Sequence, residues 1–184
     1  MELTEVVTSR RSVRAYKKDT TVEQSTIEEI IRFAQEAPSW KNSQTGRYYV
    51  AISPEKVAAV KEKSLPEFNQ KSCADAPVLI VTTFVKNRAG FDREGNADNE
   101  LGNEWGAYDL GLQNELLTLK ATELGLDTLI MGIRNGDALR AELDIPETEE
   151  VVAVIALGYR DNDPEKPKRK DVEAILKLDR KSVV

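Results

Sequence analysis

Fixed positive charge is concentrated at two places in the chain. Residues 10–18 carry Arg10, Arg11, Arg14, Lys17 and Lys18, and residues 166–170 carry Lys166, Lys168, Arg169 and Lys170. A guanidinium grips phosphate through paired, charge-assisted hydrogen bonds, so two such clusters could converge on one phosphorylated ligand. The alternative is two solvated surface runs. The rest of the chain is acidic, with a formal net charge of −6 and a pI near 5.0. That balance argues against nucleic acid or an anionic membrane as a general partner, because both select basic surfaces. Histidine is absent from all 184 residues. Its absence removes Ser-His-Asp and Cys-His nucleophiles and the commonest transition-metal ligand. The lone cysteine, Cys73, cannot form an intramolecular disulfide, and its neighbours Ala74, Asp75 and Ala76 offer no cation to stabilise a thiolate. It is expected to be a structural thiol in a reducing compartment, and no metal site is expected.

The basic element Arg10-Arg11-Ser12-Val13-Arg14-Ala15-Tyr16 is followed, one helix later, by Ala37-Pro38-Ser39-Trp40-Lys41-Asn42-Ser43-Gln44. Together these resemble the nitroreductase family, where an Arg-x-Ser-x-Arg/Lys element precedes Pro-Ser-x-x-Asn-x-Gln. The resemblance continues through Tyr108 to Asn114, Leu124 to Thr128, Met131-Gly132 and Leu157-Gly158-Tyr159, and so covers nearly the whole chain. Three departures stand out: Thr45-Gly46-Arg47 replaces the usual Pro-Trp, Arg160 replaces a proline, and Lys170-Asp171 replaces a basic residue followed by proline.

The resemblance implies a flavoprotein. Arg10, Ser12 and Arg14, with Arg11 beside them, match positions that hold the FMN phosphate, ribityl chain and pyrimidine edge. Lys168 and Arg169 would complete the phosphate clamp. Pro38, Ser39, Asn42 and Gln44 match the second flavin-contacting motif, with Ser39 and Asn42 supplied by the neighbouring subunit. The backbone at Met131 and Gly132 would face the ring near N5, and Asn69 is a candidate for the ring edge. No protein side chain is implied as catalytic. Hydride transfer between a nicotinamide and flavin N5 requires no protein nucleophile or metal, which accommodates the missing histidine.

The implied protein is a single FMN-binding domain over residues 1–184, an α+β fold of the α/β/α sandwich type with a largely antiparallel central sheet, forming an interlocked homodimer. Its implied activity is ping-pong electron transfer from NAD(P)H to a small organic acceptor such as a nitroaromatic, quinone or enone. Two alternatives stay open: a flavin-binding or delivery module without turnover, and a specialised dehalogenase or dehydrogenase on the same scaffold. No Gly-x-Gly-x-x-Gly follows a predicted strand, so NAD(P)H is expected to bind transiently over the flavin instead of in a Rossmann domain. Lys41, Arg47 and Arg88 are candidates for the extra phosphate of NADPH.

These residues need a scaffold. Thr26 and Glu29 have capping-box spacing, and Ile27, Ile30, Ile31 and Ala34 repeat with helical period, which predicts a helix over 26–37. A short strand is expected at 48–52, then a helix from Pro54 to Lys63. The apolar runs at 78–84 and 151–157 predict central strands buried on both faces. Residues 104–124 predict a long helix crossing the core, ended by Gly125, with Trp105 and Tyr108 at either a pocket mouth or a packed surface. A glycine-containing loop at 86–103, a short helix at 137–143, an extended tail at 162–168 and a last amphipathic stretch near 178 complete the expectation. The N-terminus, MELTEVVTSRR, has no basic-then-apolar leader pattern, and no apolar run approaches the roughly 18 residues of a membrane span, so a soluble, cytoplasmic protein is expected.

Overall fold

The computed structural model describes residues 2–179. In chain order the elements are α1 (Leu3–Ser9), α2 (Gln24–Ala34), β1 (Gly46–Ala51), α3 (Pro54–Ser64), α4 (Glu67–Ser72), β2 (Val78–Val85), α5 (Glu104–Glu123), β3 (Asp127–Met131), α6 (Gly136–Leu143) and β4 (Glu149–Gly158). The four strands form one antiparallel sheet in the order β1-β2-β4-β3. The two runs that lack hydrophobic alternation, β2 and β4, are its centre, as strands covered on both faces should be.

Alternation reappears in what each side chain touches. Val78 and Ile80 of β2, with Ile155 and Leu157 of β4, pack under α2 and α5 against Ile27, Ile30, Leu117 and Ala121. Leu79 and Val81, with Val154 and Ala156, face the other way and meet Val57 and Val60 of α3 and Leu139 of α6. Helices therefore cover both faces of an antiparallel sheet, and the expected α/β/α sandwich is the observed architecture. Each buried Val, Leu or Ile contributes roughly 1.5–3 kcal/mol on removal from water, so both layers are needed to hold the sheet.

Several boundaries differ from expectation for identifiable reasons. Helix α2 begins at Gln24 with Glu23 as its N-cap and no side-chain capping bond, so Thr26 already lies inside the helix and the capping box is not formed. It ends at Ala34, and Glu36 and Ala37 close turns onto Phe33 and Ala34 instead. Ala37 precedes Pro38, and the residue before a proline is disfavoured in the helical region. Strand β3 and helices α1 and α4 carry too few residues for a periodic signal and were not expected. Near the C-terminus only a 3-10 turn, Val172–Ala174, is present in place of the amphipathic stretch, and 180–184 lie outside the described residues.

The 86–103 loop has no helix or strand, yet it is tightly built. Asn87 and Asn103 are linked by reciprocal bonds of 2.7 and 2.9 Å, and Asp98 N–H donates to Gly90 O at 2.8 Å. Phe91 and Ala97 form an isolated antiparallel bridge, and Trp105 Nε1 donates to Asn99 Oδ1 at 2.9 Å. Gly90 has a φ of +82°, and a Cβ there would sit 2.4 Å from Gly102 O, so a close backbone approach fixes this position.

Helix α5 meets β2 at Gly106, where an added Cβ would lie 2.3 Å from the Phe84 ring. Substituting alanine in an exposed helix normally stabilises by about 1 kcal/mol. At Gly106 the sign is expected to reverse, with Gly106→Ala destabilising by about 1–3 kcal/mol through overpacking against Phe84, read from denaturant midpoints at fixed protein concentration.

Candidate functional site

The first basic cluster is held extended along the sheet's β3 edge. After α1, Val13 N–H donates to Thr128 O at 3.0 Å, Lys17 N–H to Tyr159 O at 2.8 Å, and Asp161 N–H returns to Ala15 O at 3.0 Å. Along this segment Val13 and Tyr16 are buried, while Ser12 and Arg14 are exposed. Tyr16 is anchored well inside, and burial pushes its phenol far above its ordinary pKa.

The second cluster is returned to the first by an ion pair. Asp127, buried at the start of β3, accepts from Arg160 Nε at 2.9 Å and from the Arg160 backbone N–H at 3.2 Å. Arg160 also reaches Asp163 at 2.8 Å. Strand β4 thus leaves the sheet with its direction fixed, and the following tail folds back beside residues 10–14. The result is a cavity of about 490 Å³ lined by Arg10, Arg11, Ser12 and Arg14 from one side and Lys166 and Arg169 from the other. Among the described residues none of these cations has a carboxylate within ion-pair distance. Arg11 Nη1 donates to Thr8 O and Arg10 O at 2.7 and 2.9 Å, while its buried Nε has no protein partner. Lys168 does not line the cavity; its neighbours Lys166 and Arg169 do.

Glu115, reaching in from α5, and Lys166 are cavity residues that motif comparison did not single out. Lys166 was visible as part of a charge run, whereas Glu115 carried no sequence signal.

Pro38, Ser39, Asn42 and Gln44 lie on the turn after α2, away from that cavity within this chain. The turn is strained: Lys41, Asn42 and Gln44 have φ of 45°, 55° and 47°, left-handed values that L-residues adopt at a cost. It is held by Gln44 N–H donating to Ser39 Oγ at 3.1 Å, by Gln44 Nε2 donating to Asn42 Oδ1 at 3.1 Å, and by Trp40 N–H donating to Asp109 Oδ2 at 2.8 Å. Asp109 is buried on α5, and desolvation raises its carboxyl pKa while the Trp40 N–H pulls it back. The Trp40 and Trp105 rings pack 4.5 Å apart, and Trp105 meets Tyr108 edge-on at 5.6 Å. Trp40 and Trp105 are therefore packed against each other, and Tyr108 remains exposed. Asn42 lines a second cavity of about 560 Å³ between this turn and the 86–103 loop.

Met131 ends β3 and is buried, but Gly132 is exposed, with open space where a Cβ would be. Asn69 is buried on α4, and its Nδ2 donates to Ile133 O at 2.8 Å. Its amide fixes the backbone just after Gly132, a positioning contact that sequence alone did not disclose.

Comparison with known proteins gives one consistent answer. The Nitroreductase family model matches residues 7–72 and 54–159. A protein named NADH dehydrogenase from Thermus thermophilus is 28% identical over 173 residues, covering 82% of this chain and 82% of its own length. A nitroreductase family protein from Clostridium difficile 630 has 25% identity and a TM-score of 0.78 over 98% of this chain and 99% of its own. A solved oxidoreductase containing FMN has 26% identity and a TM-score of 0.73 over 86% and 77% of the two chains.

The Asp127–Arg160 pair sets the tail's course and is largely withdrawn from water, so removing one partner leaves a buried charge. Arg160→Ala is expected to destabilise by about 2–4 kcal/mol, and Arg160→Lys to recover only part, because lysine lacks the fork that reaches Asp127 and Asp163 together. Thermal unfolding of the two variants at equal concentration checks both statements; equal stability of all three proteins would refute them.

Proposed function

The chain belongs to the nitroreductase family, and on that premise we propose that it is a homodimeric NAD(P)H-dependent FMN oxidoreductase, with residues 1–184 forming its FMN-binding domain. The observation that carries the proposal is the convergence of Arg10, Arg11, Arg14, Lys166 and Arg169 on one cavity, none of them within ion-pair distance of a carboxylate among the described residues although Glu115 and Glu165 also line it. Four guanidinium groups and one ammonium against two carboxylates leave the hollow net positive, which suits a dianion such as the FMN phosphate. The buried, unpartnered Nε of Arg11 fits that use, since a ligand oxygen would supply the missing acceptor.

The chain's own groups then divide the work. Arg10, Arg11, Arg14 and Arg169 neutralise and orient the phosphate, with Lys166 beside them and Lys168 at the outer side of the same tail. Ser12, with one donor and two acceptor positions, suits the ribityl hydroxyls. Gly132, open on the side where a Cβ would stand, lets the main chain after Met131 approach a flat ring, and Asn69 holds that stretch still through Ile133 O. Pro38, Ser39, Asn42 and Gln44 line no part of the phosphate cavity within one chain, which supports their delivery across a subunit interface.

Unpartnered apolar surface supports the same dimer: Leu3, Ile133, Ile175 and Leu178 are each at least 65% exposed in the single chain. The outer edge of β1 is likewise unpaired among the described strands. No helix among the described residues is long and apolar enough to cross a membrane.

FMN, when bound, would supply the redox chemistry between NAD(P)H and a small organic acceptor such as a nitroaromatic, quinone or enone. A relative named NADH dehydrogenase and a solved FMN-containing oxidoreductase support this assignment.

The purified protein is expected to take up FMN, to show a flavin absorbance spectrum, and to lose it on anaerobic addition of NADH or NADPH. Arg10→Ala and Arg169→Ala are each expected to weaken FMN binding about tenfold or more, the scale of a lost charge-assisted hydrogen bond, and the double variant to weaken it further. Absence of flavin uptake would refute the proposal. Uptake without NAD(P)H bleaching would leave a flavin-binding module.

A further inference from the structure

The second cavity has features that the FMN site does not use. It lies between the strained 40–43 turn and the 86–103 loop, and its lining includes Lys41, Arg88 and Arg93 as cations, Trp40 and Phe91 as flat apolar walls, and Asp92 as a carboxylate. Two of these charges are already committed. Lys41 pairs with Asp98 at 2.8 Å, and Asp92 accepts from Asn96 N–H at 2.8 Å and Asn96 Nδ2 at 3.1 Å. Among the described residues Arg88 and Arg93 make no side-chain hydrogen bond and no ion pair.

The loop that presents them is fixed by the Asn87–Asn103 bonds, the Asp98–Gly90 bond and the Trp105–Asn99 bond, so two exposed arginines line a space of about 560 Å³ from a braced frame. Two unpaired arginines in a hollow that Phe91 also lines match a phosphomonoester attached to a ring system. Asn42 joins this cavity to the motif assigned across the interface to the flavin, so a ligand lying here reaches toward the flavin of the neighbouring subunit.

We propose that Arg88 and Arg93 bind the 2′-phosphate of NADPH, with Phe91 beside its adenosine, and so make NADPH the preferred reductant. The proposal rests on the FMN oxidoreductase assignment above and deepens it by naming the nucleotide. Arg47, the other cation near this turn, is excluded from the clamp: its Nη1 donates to Gln44 O at 2.9 Å and Gly46 O at 2.7 Å, and it does not line the cavity. Lys41 remains engaged with Asp98.

The test uses the purified, flavin-loaded protein and two readouts. By titration calorimetry, adenosine 2′,5′-bisphosphate is expected to bind about tenfold or more tightly than adenosine 5′-monophosphate, and the Arg88→Ala/Arg93→Ala variant to lose that difference. In anaerobic flavin reduction, the ratio of kcat/KM for NADPH to that for NADH is expected to exceed ten and to fall toward one in the same variant. Equal binding of the two adenine nucleotides by the unsubstituted protein overturns the proposal, as does a discrimination that survives loss of both arginines. Failure of both nicotinamide nucleotides to bleach the flavin refutes the oxidoreductase assignment, while the calorimetric arm still decides whether the cavity recognises the 2′-phosphate. A preference for a carboxylated acceptor, without discrimination between the nucleotides, would reassign the arginines to the acceptor and overturn the NADPH claim.

Discussion

A buried carboxylate at the first residue of an edge strand sets the geometry on which the site depends. Asp127 must be neutralised where it sits, and Arg160, two residues after the end of β4, does so through its side chain and its main-chain N–H. Because both strands are locked in the sheet, the pair fixes the angle at which the chain leaves β4. That exit angle carries Lys166 and Arg169 to the same hollow as Arg10 and Arg14. The N-terminal segment is tied to the same corner, since Lys17 bonds Tyr159 O and Asp161 bonds Ala15 O. One ion pair and three main-chain hydrogen bonds, counting the one between Val13 and Thr128, thereby join two charge clusters that lie at opposite ends of the sequence.

Much of this architecture was legible from apolar pattern alone. The runs at 78–84 and 151–157 lack alternation because both faces of β2 and β4 are covered, and that absence marked them as central. Ile27, Ile30 and Ala34 marked the face of α2 that meets β2 and β4, although Thr26 gave a false start signal because capping-box spacing recurs inside helices. What escaped was short. Strand β3 has five residues, follows a helix after the Leu124-Gly125-Leu126 connection, and is defined by pairing with β4, a contact distant in sequence. Helix α4 has six residues and carries Asn69, whose value lies in a bond to Ile133 O that spans 64 positions.

The site divides along the same line. Motif resemblance singled out Arg10, Ser12, Arg14 and Arg169 by residue type and spacing, and the fold brings these four to one hollow. It also selected Lys168, which does not line that hollow, and passed over Lys166, which does, because an irregular segment has no period from which to read direction. At one departure from the family pattern Arg160 stands where a proline is usual. The structure shows a different kind of restraint, with a side-chain fork anchoring the backbone that a proline ring would have stiffened.

Charge distribution explains how an acidic protein can serve anionic ligands. Lys41, Lys56, Lys63, Lys71, Lys120, Arg140 and Arg160 are each within ion-pair distance of a carboxylate. The cations lining the cavity beside residues 10–14, together with Arg88 and Arg93, lack such partners among the described residues, as do more dispersed cations such as Lys17, Arg32 and Arg47. Neutralising cations elsewhere costs little, because exposed pairs contribute at most about 1 kcal/mol, but leaving several unneutralised around a hollow opposes folding through mutual repulsion. The fold bears that repulsion at two hollows, each walled by restrained backbone: the 10–17 segment bonded to the sheet at one, and the left-handed turn with its braced loop at the other. Cations gathered at such a hollow attract a phosphate, while the net acidic charge of the chain disfavours indiscriminate binding to polyanions.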